Sequence, residues 1–377
     1  MDIYAVGRAT MILDDIALTF VPNLGARGIY HLTEMFGGAK SIYAQSEYAL
    51  TFDAELRRDI AESILKKEGY AEAEKELKYC SEMGIRATSA LDGEYPPLLT
   101  EASDRPHIIY SMGEIEALQS PHILSVVGTR RMSSYGESVC TRIISELAEQ
   151  FPDMVVVSGL AFGVDVAAHR AALASGVRTV AVLANKLPDI TPAQHRNIAK
   201  DIVDNGGAIL TELHSQTKQN GTYYIPRNRI VAGVAEGLFV VESPANGGSL
   251  STVKAADAYS RTIMAVPGRI TDSRSEGTNH LIKTNVAQLV TSAEDIITAL
   301  GWESANKVSQ KIHYEPRKMN TRESLIFNSL QDNSDGLPLE AIATKCDLSI
   351  SEASAVLLNM ELSGLVRQLP GKRYVIC

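Results

Sequence analysis

The sequence predicts an α/β protein with a Rossmann-like, doubly wound and mainly parallel sheet, a small N-terminal helical domain and a C-terminal winged helix. Two observations predict the sheet: from residue 123 onward apolar runs alternate with helical stretches, and these runs are continuous in Val, Ile and Leu. Continuous runs are typical of parallel strands that are buried on both faces. A third observation, three short helices and a β-hairpin after residue 321, predicts the winged helix.

Residues 1–80 are predicted to form the helical domain, because the apolar spacing from Asp14 to about Tyr79 is helical and shows no strand alternation. Within this region, residues 21–29 (Val-Pro-Asn-Leu-Gly-Ala-Arg-Gly-Ile) are similar to the hairpin of a helix-hairpin-helix motif, whose backbone amides hold a DNA phosphate. A helical turn closed by a glycine C-cap is the alternative. We assign no contacts to this segment.

Residues 81–302 are predicted to form the Rossmann-like domain. Up to about residue 120, prolines separate short extended pieces, which we interpret as an N-terminal extension of the sheet. The sheet itself has predicted strands at Ile123–Gly128, Met154–Gly159, Thr179–Ala184, Ala208–Glu212, Leu238–Ser243, Ile263–Gly268 and Gln288–Thr291.

Residues 303–320 are polar and lack apolar periodicity, which predicts a linker before the winged helix at 321–377. Ser351 is the predicted N-cap of the third helix, and Pro370-Gly371 is the predicted hairpin turn. The third helix contains glutamates and no Lys or Arg, which favours a protein contact over entry into a DNA groove. The predicted elements are helices at Arg322–Leu330, Leu339–Lys345 and Glu352–Ser363 and strands at Leu365–Gln368 and Arg373–Ile376.

Composition restricts the functions that the chain can have. A hydrophobic content of 45% over 377 residues excludes a disordered protein, and a net charge of −9 argues against nonspecific coating of DNA. A nucleic-acid site must therefore be a local basic groove. Apolar runs shorter than about 20 residues and a charged N-terminus predict a cytoplasmic protein with no membrane partner. Four scattered cysteines predict neither a zinc site nor a disulfide framework.

The first candidate site is the loop after the strand at 123–128. Gly128, Thr129, Arg130 and Arg131 come before a helix near Gly136, where backbone amides and a guanidinium can hold a phosphate together. The alternative is a structural loop with solvated arginines. The spacing matches neither a dinucleotide-binding nor a Walker motif, so we predict no cofactor.

A second small-residue loop follows the strand at 154–159. In this loop, which begins at Ser158, Gly159 and Gly163 let the backbone approach a ligand. Phe162 either stacks on a base or belongs to the core. Asp165 and His169 share one helix face but have no further ligand or nucleophile beside them in the sequence. We therefore expect helix capping and packing from these two residues, and we predict no metal site.

Two further loops complete the set. Arg227, Asn228 and Arg229 come before an apolar helix at Ile230–Ala235 and are predicted to face the same cleft. Gly248 and Ser249 open the helix after the strand at 238–243. Loops that follow parallel strands gather at one edge of the sheet, so the four loops together predict a phosphate-binding cleft.

The set is also similar to Rossmann-like nucleotide hydrolases with a Pro-Gly-Gly-x-Gly-Thr-x-x-Glu motif. The matching residues, 246–255, lack the glutamate that supports bond cleavage, and no other catalytic arrangement replaces it in the sequence. Binding is therefore favoured over catalysis, and the protein is predicted not to be an enzyme.

The ordered motifs closely resemble the DNA-processing protein A (DprA/Smf) family. They are Val-Gly-Thr-Arg-Arg at 127–131, Ser-Gly-Leu-Ala-Phe-Gly-Val-Asp at 158–165, Ile-Pro-Arg-Asn-Arg-Ile-Val-Ala-Gly at 225–233 and Val-Pro-Gly at 266–268. The resemblance implies a homodimer that binds single-stranded DNA, protects incoming strands and helps to load RecA recombinase in natural transformation and recombination.

By this resemblance, residues 128–130 match the family's Gly-Ser/Thr-Arg phosphate loop, with Arg130 as its principal cation, and Ser158 and Gly159 match the second loop. Phe162 stands where the family often has a basic residue, and basic residues are also missing near residue 193. Lys186 or Arg196 is our candidate for the missing charge. Two alternatives stay open: a Rossmann-like enzyme that acts on a nucleotide, and a regulator that binds DNA through its winged helix.

Overall fold

The structure, a computed structural model, describes residues 12–218, 221–303, 320–331, 336–362, 365–369 and 373–376. The chain divides into two compact units, Met1–Val308 and Ser309–Cys377. The separation of residues 1–80 from 81–302 stays a prediction, and most of the predicted linker lies outside the described residues. No helix in the described part of the chain is long and apolar enough to cross a membrane.

The N-terminal part of the first unit is helical, as the apolar spacing predicts. Leu18, Leu32 and Leu50 are fully buried in a core that these helices share, whereas Ile16 packs with residues of the neighbouring sheet. Gly25 is the N-cap of the second helix, so the predicted glycine C-cap in this segment is wrong. The helices are α1 (residues 12–19), α2 (Ala26–Phe36), α3 (Ala39–Tyr43), α4 (Arg58–Leu65) and α5 (Tyr70–Met83), with a π turn at Ala49–Asp53.

The centre of the first unit is a nine-stranded sheet in the order β1-β2-β6-β5-β4-β3-β7-β8-β9. The pairs β1-β2 and β2-β6 are antiparallel and the other pairs are parallel. The strands are β1 (Arg86–Ser89), β2 (Ile108–Gly113), β3 (Ile123–Val127), β4 (Val155–Ser158), β5 (Arg178–Val182), β6 (Ala208–Thr211), β7 (Gly237–Val240), β8 (Thr262–Ala265) and β9 (Gln288–Leu289).

Helices cover the sheet on both faces, which confirms the predicted doubly wound α/β class. They are α6 (Pro97–Thr100), α7 (Ser134–Gln150), α8 (Val164–Ala174), α9 (Arg196–Asp204), α10 (Tyr224–Gly233), α11 (Ser249–Ala258), α12 (Glu276–Lys283) and α13 (Ala293–Leu300). Short 3-10 turns lie at Ile115–Gln119, Ala193–His195, Gly221–Tyr223 and Ser273–Ser275. The seven predicted strands are all present, and their ends differ from the prediction by up to three residues.

The central strands are buried on both faces, which explains their continuous apolar sequence. Leu124 and Val126 of β3 pack with Ile143 of α7, while Ile123 and Val127 face the core that includes α10 and α11. The strand order reverses between β3 and β7, because β4 lies on one side of β3 and β7 on the other. Such a switch point opens a crevice at the carboxyl ends of the two strands.

The second unit is a winged helix with its own core. Its elements are α14 (Thr321–Gln331), β10 (Leu337–Pro338), α15 (Leu339–Lys345), α16 (Ile350–Leu362), β11 (Val366–Leu369) and β12 (Arg373–Ile376). The three strands form one antiparallel sheet. Ser349, not Ser351, caps α16: the Glu352 amide donates to Ser349 Oγ at 3.2 Å, and the Glu352 carboxylate accepts from the Ser349 amide. The predicted Pro370-Gly371 turn lies outside the described residues.

Candidate functional site

A cleft of about 460 Å³ lies at the switch point between β3 and β7. Its walls are formed mainly by loops and helix starts at the carboxyl ends of the strands. The first wall is the loop after β3, the second is the loop after β7, and the start of α10 closes the third side. The lining residues include Gly128, Thr129, Arg130, Arg131, Gly159, Asp165, Tyr224, Arg227, Asn228, Asn246, Gly248 and Ser249.

The loops after β3 and β4 are packed directly on one another. Gly163 has a φ of +78°, and a Cβ on it would lie 2.2 Å from the Thr129 carbonyl oxygen. The Val164 amide donates to that same oxygen at 3.2 Å. The beginning of α8 therefore fixes the position of the Gly128–Arg131 loop.

Arg130 and Arg131 are the exposed cations of the cleft. The Arg130 guanidinium lies 5.0 Å from the centre of the Tyr224 ring, and the Arg131 amide donates to Thr129 Oγ1 at 3.1 Å. Stacking on an aromatic face orients a guanidinium without using its N–H donors. The donors of Arg130 thus stay available to an anion.

Arg227 is a buried cation on the floor of the cleft. Its Nη1 donates to the Gly159 carbonyl at 2.7 Å and also to the Val182 carbonyl, and its Nε donates to Asn228 Oδ1 at 3.2 Å. Burial lowers the pKa of Arg227, and the charge of Asp165 opposes that shift. A Cβ on residue 159 would lie 2.4 Å from Arg227 Nη1, so this contact requires glycine. Arg227 therefore holds β4, β5 and α10 together at the cleft.

Three hydrogen bonds to hydroxyl or carboxylate oxygens lie at the starts of α7 and α11. The Glu242 carboxylate accepts from the Ser133 amide at 2.8 Å, and Ser133 Oγ caps α7 through the Gly136 amide. Ser249, at the start of α11, donates from its hydroxyl to Ser243 Oγ at 2.9 Å, while Gly248 is the exposed N-cap residue. Of the two helices, α11 begins in the lining of the cleft, where its first N–H groups favour an anion.

Asp165 and His169 pack as expected. The Asp165 carboxylate accepts from the Ala161 amide at 3.4 Å, and burial raises its pKa. His169 is fully buried with Nδ1 2.7 Å from Thr179 Oγ1, and burial lowers its pKa to about 3. Within the described residues, no cluster of His, Cys, Asp or Glu side chains is placed to hold a metal ion.

Two protein-family models match the chain. The model described as DNA recombination-mediator protein A matches residues 86–301, and the DprA winged helix domain matches residues 322–372. The first match alone covers more than half of the chain. The chain belongs to the DprA/Smf family.

Known relatives agree with membership of the chain in the DprA/Smf family. Protein Smf of Escherichia coli is 34% identical over 281 residues, which is 74% of this chain and 74% of that protein. DNA processing protein DprA of Streptococcus pneumoniae is 36% identical over 209 residues, or 55% of this chain and 72% of the relative.

Two solved DprA structures share the fold. The X-ray structure of DprA from Streptococcus pneumoniae has a TM-score of 0.65 at 29% identity, with 75% of this chain and 95% of that chain covered. The DprA structure from Helicobacter pylori, described for its single-stranded DNA binding mode, has a TM-score of 0.52 at 26% identity, with 58% and 97% covered.

Two of the residues predicted for the DprA site have their side chains engaged elsewhere. Arg229 lies outside the cleft: it donates two hydrogen bonds of 2.7 Å to the Glu212 carboxylate and one to the Asp104 carbonyl. Ser158 is fully buried and donates to the Val126 carbonyl at 2.6 Å. The helix predicted to start at Ile230 begins at Tyr224, so residues 227–229 lie within its first two turns.

Phe162, which stands at one of the family's basic positions, and the two candidates for the missing charge also lie outside the cleft lining. Phe162 is 46% exposed, which excludes the core interpretation, and its ring packs edge-on against His195. Lys186 donates to the Ser215 carbonyl at 2.9 Å, and Arg196 is exposed at the start of α9. The structure does not bring either cation into the cleft.

Sequence reasoning missed Tyr224 and Ile225, which both line the cleft. Ile225 is 71% exposed, an unusual position for a large apolar side chain. The signal that could have found them is the run Tyr223-Tyr224-Ile225 directly before Pro-Arg-Asn-Arg at 226–229. Aromatic residues interleaved with cations are typical of surfaces that bind nucleic acid.

Proposed function

We propose that this protein binds single-stranded DNA in the cleft between β3 and β7, with little sequence selection. The observation that carries this proposal is the placement of Arg130: an exposed guanidinium, stacked on Tyr224, lines the same cleft as the start of α11. Guanidinium and helix-start N–H groups both favour phosphate. Membership in the DprA family and the single-stranded DNA bound by the Helicobacter pylori relative support it.

In this proposal the strand is held by its backbone. Arg130 and Arg131 neutralise successive phosphates, while Tyr224 and Ile225 offer an aromatic and an apolar surface to the bases. Arg227 positions the loops of the cleft and does not contact the strand, because its Nη1 and Nε are already bound to carbonyl and amide oxygens. Affinity must fall with salt, since phosphate contacts release counterions.

The proposed role is that of a recombination mediator in the cytoplasm. It would protect incoming strands and help to load RecA during natural transformation and recombination. The description of the matching family model, DNA recombination-mediator protein A, supports the recombination part of this role. A homodimer fits this role, because one strand that bridges two clefts gains effective concentration. That gain matters for a chain of net charge −9 with few exposed cations at its cleft.

We also propose that the cleft binds the strand without cleaving it. The loop at 246–255 contributes amide, hydroxyl and backbone groups, and it has no carboxylate in its sequence. Asp165, which does line the cleft, is buried and accepts a backbone hydrogen bond. A labelled strand incubated with the protein should be recovered at its original length; shortened products would support the nucleotide-enzyme alternative instead.

Fluorescence anisotropy tests the binding function. Labelled oligothymidylate of about twenty nucleotides, and a duplex of the same length, are titrated with the full chain across a salt series. We expect tighter binding to the single strand, with affinity that falls as salt rises. Binding to duplex alone would instead support the winged-helix regulator.

RecA loading needs a separate test. RecA filament formation on a strand already covered by single-strand-binding protein should accelerate when this protein is added, and Arg130→Ala should remove the acceleration. If the wild type binds the strand but leaves filament formation unchanged, the mediator role fails while the binding function stands.

A further inference from the structure

A second groove of about 530 Å³ lies beside the cleft. One wall is the start of α7 (Ser133–Tyr135), and the other is the loop after β8, from Pro267 to Ser275. This loop contains the Val-Pro-Gly motif at 266–268, to which the binding cleft gives no role. The groove therefore stands outside the site described above.

The loop after β8 is built as a rigid wall. The Gly268 amide donates to Asn279 Oδ1 at 3.0 Å, and Asn279 Nδ2 donates back to the Gly268 carbonyl at 3.1 Å. A Cβ on residue 268 would lie 2.0 Å from Ser275 Oγ. Asn279 and Ser275 thus fix the backbone from which Arg269 extends.

The groove offers an aromatic ring and a cation. Tyr135 is 50% exposed, and its hydroxyl donates to the Pro267 carbonyl at 3.0 Å, which holds the ring against the far wall. Arg269 is exposed, whereas the Asp272 carboxylate is bound by Arg274 in two 3.0 Å hydrogen bonds. The three charged side chains that line the groove, Arg269, Asp272 and Arg274, therefore carry a net charge of +1.

The groove and the cleft are adjacent along the backbone. Arg131 lines the cleft and Ser133 lines the groove, with only Met132 between them. Two residues span at most about 7 Å, even when fully extended. Two stacked nucleotides, at about 3.4 Å each, cover that distance. A strand that leaves the cleft at Arg131 thus reaches the groove within a few nucleotides.

We propose that this groove is a second binding site for single-stranded DNA, in which a base stacks on Tyr135 and a phosphate pairs with Arg269. The site extends the proposed function of the cleft and rests on it. The start of α7, whose first N–H groups have no partner within the helix, forms one wall of the groove, and only Met132 separates it from Arg131 of the cleft. The cleft and the groove therefore form one continuous path for the strand. Strands long enough to leave the cleft use the groove, and shorter ones do not.

Oligonucleotides of two lengths distinguish binding in the groove from binding in the cleft. Full-length Arg269→Glu and Tyr135→Ala proteins are titrated with oligothymidylate of about five and about twenty nucleotides. We expect each variant to lose about fivefold in affinity for the long strand and to match the wild type on the short one. Tyr135→Trp should keep the long-strand affinity, because it preserves the stacking surface. Arg178→Ala, at the amino end of β5 on the opposite edge of the sheet, is the matched control.

Arg130→Ala serves as the reference for the cleft and should weaken both lengths. The groove is excluded as a DNA-binding site if Arg269→Glu and Tyr135→Ala bind the long strand like the wild type while Arg130→Ala binds it more weakly. Equal weakening of short and long strands by Arg269→Glu would also overturn a separate site. If Arg130→Ala changes neither length, the proposed function of the cleft fails instead.

Discussion

Three arginines of this protein have different roles, and the residues around each of them determine its role. Arg130 is exposed over an aromatic ring, Arg227 is bound to backbone carbonyls, and Arg229 is paired with Glu212. All three stand in short polar runs near predicted helix starts, so the sequence predicts the same role for each of them. Their partners come from distant strands and loops, and only the fold brings those together.

Arg229→Ala tests the structural role of this residue. Arg229 and Glu212 are largely buried, so removal of the arginine leaves a carboxylate without its counter-charge. We expect the free energy of unfolding in urea to fall by about 2 kcal/mol, and Glu212→Gln in the same chain to recover part of it. DNA affinity of the folded variant should stay within about twofold. A stable variant with weakened DNA binding would assign Arg229 to the site after all.

His169 makes stability depend on pH. Burial lowers its pKa in the folded state to about 3, below the ordinary value of about 6.5. Between these values the unfolded chain binds a proton that the folded chain does not, so stability is complete above pH 6.5 and is lost as pH falls. From pH 7 to 5 the wild type should lose about 2 kcal/mol more than His169→Gln in urea unfolding. Equal losses in both proteins would contradict this assignment.

At the scale of elements, the sequence predicts more of the fold than of the site. The seven core strands and the winged helix follow from local apolar patterns, because strands buried on both faces need continuous Val, Ile and Leu. The sequence predicts a start of α10 that is six residues too late, because Tyr224-Ile225-Pro226 is typical of a loop when taken by itself. Ser349 was missed as the cap of α16 for a similar reason: two serines flank the helix start.

Two glycines of the site loops make a matched pair. Gly163 has positive φ and no room for a Cβ beside Thr129, whereas Gly248 has a φ of −61° and no described atom within 4 Å of its Cβ position. Gly163→Ala should lower the free energy of unfolding by at least about 2 kcal/mol and weaken DNA binding by displacing the Arg130 loop. Gly248→Ala should stay within about 0.5 kcal/mol of the wild type in the same urea titration. Equal stability of the two variants would show that the loop contact is not required.

At the scale of the whole molecule, an acidic chain places two exposed arginines, Arg130 and Arg131, in a cleft at one edge of its sheet. The strand order reverses between β3 and β7, so loops from both halves of the sheet open a crevice there. These loops meet at one edge because of the strand order, and local sequence patterns do not determine the strand order. The net charge of −9 and the local arginines together predict binding that is selective for this edge and sensitive to salt.

The salt dependence of Arg130→Ala tests the central claim most directly. Anisotropy titrations with long oligothymidylate across a salt series compare this variant with the wild type and with the Arg178→Ala control. We expect about tenfold weaker binding at low salt and a slope of log affinity against log salt that is smaller by about 0.7, the value for one lost phosphate contact on a single strand. The same affinity and slope as the wild type would contradict a phosphate site at Arg130.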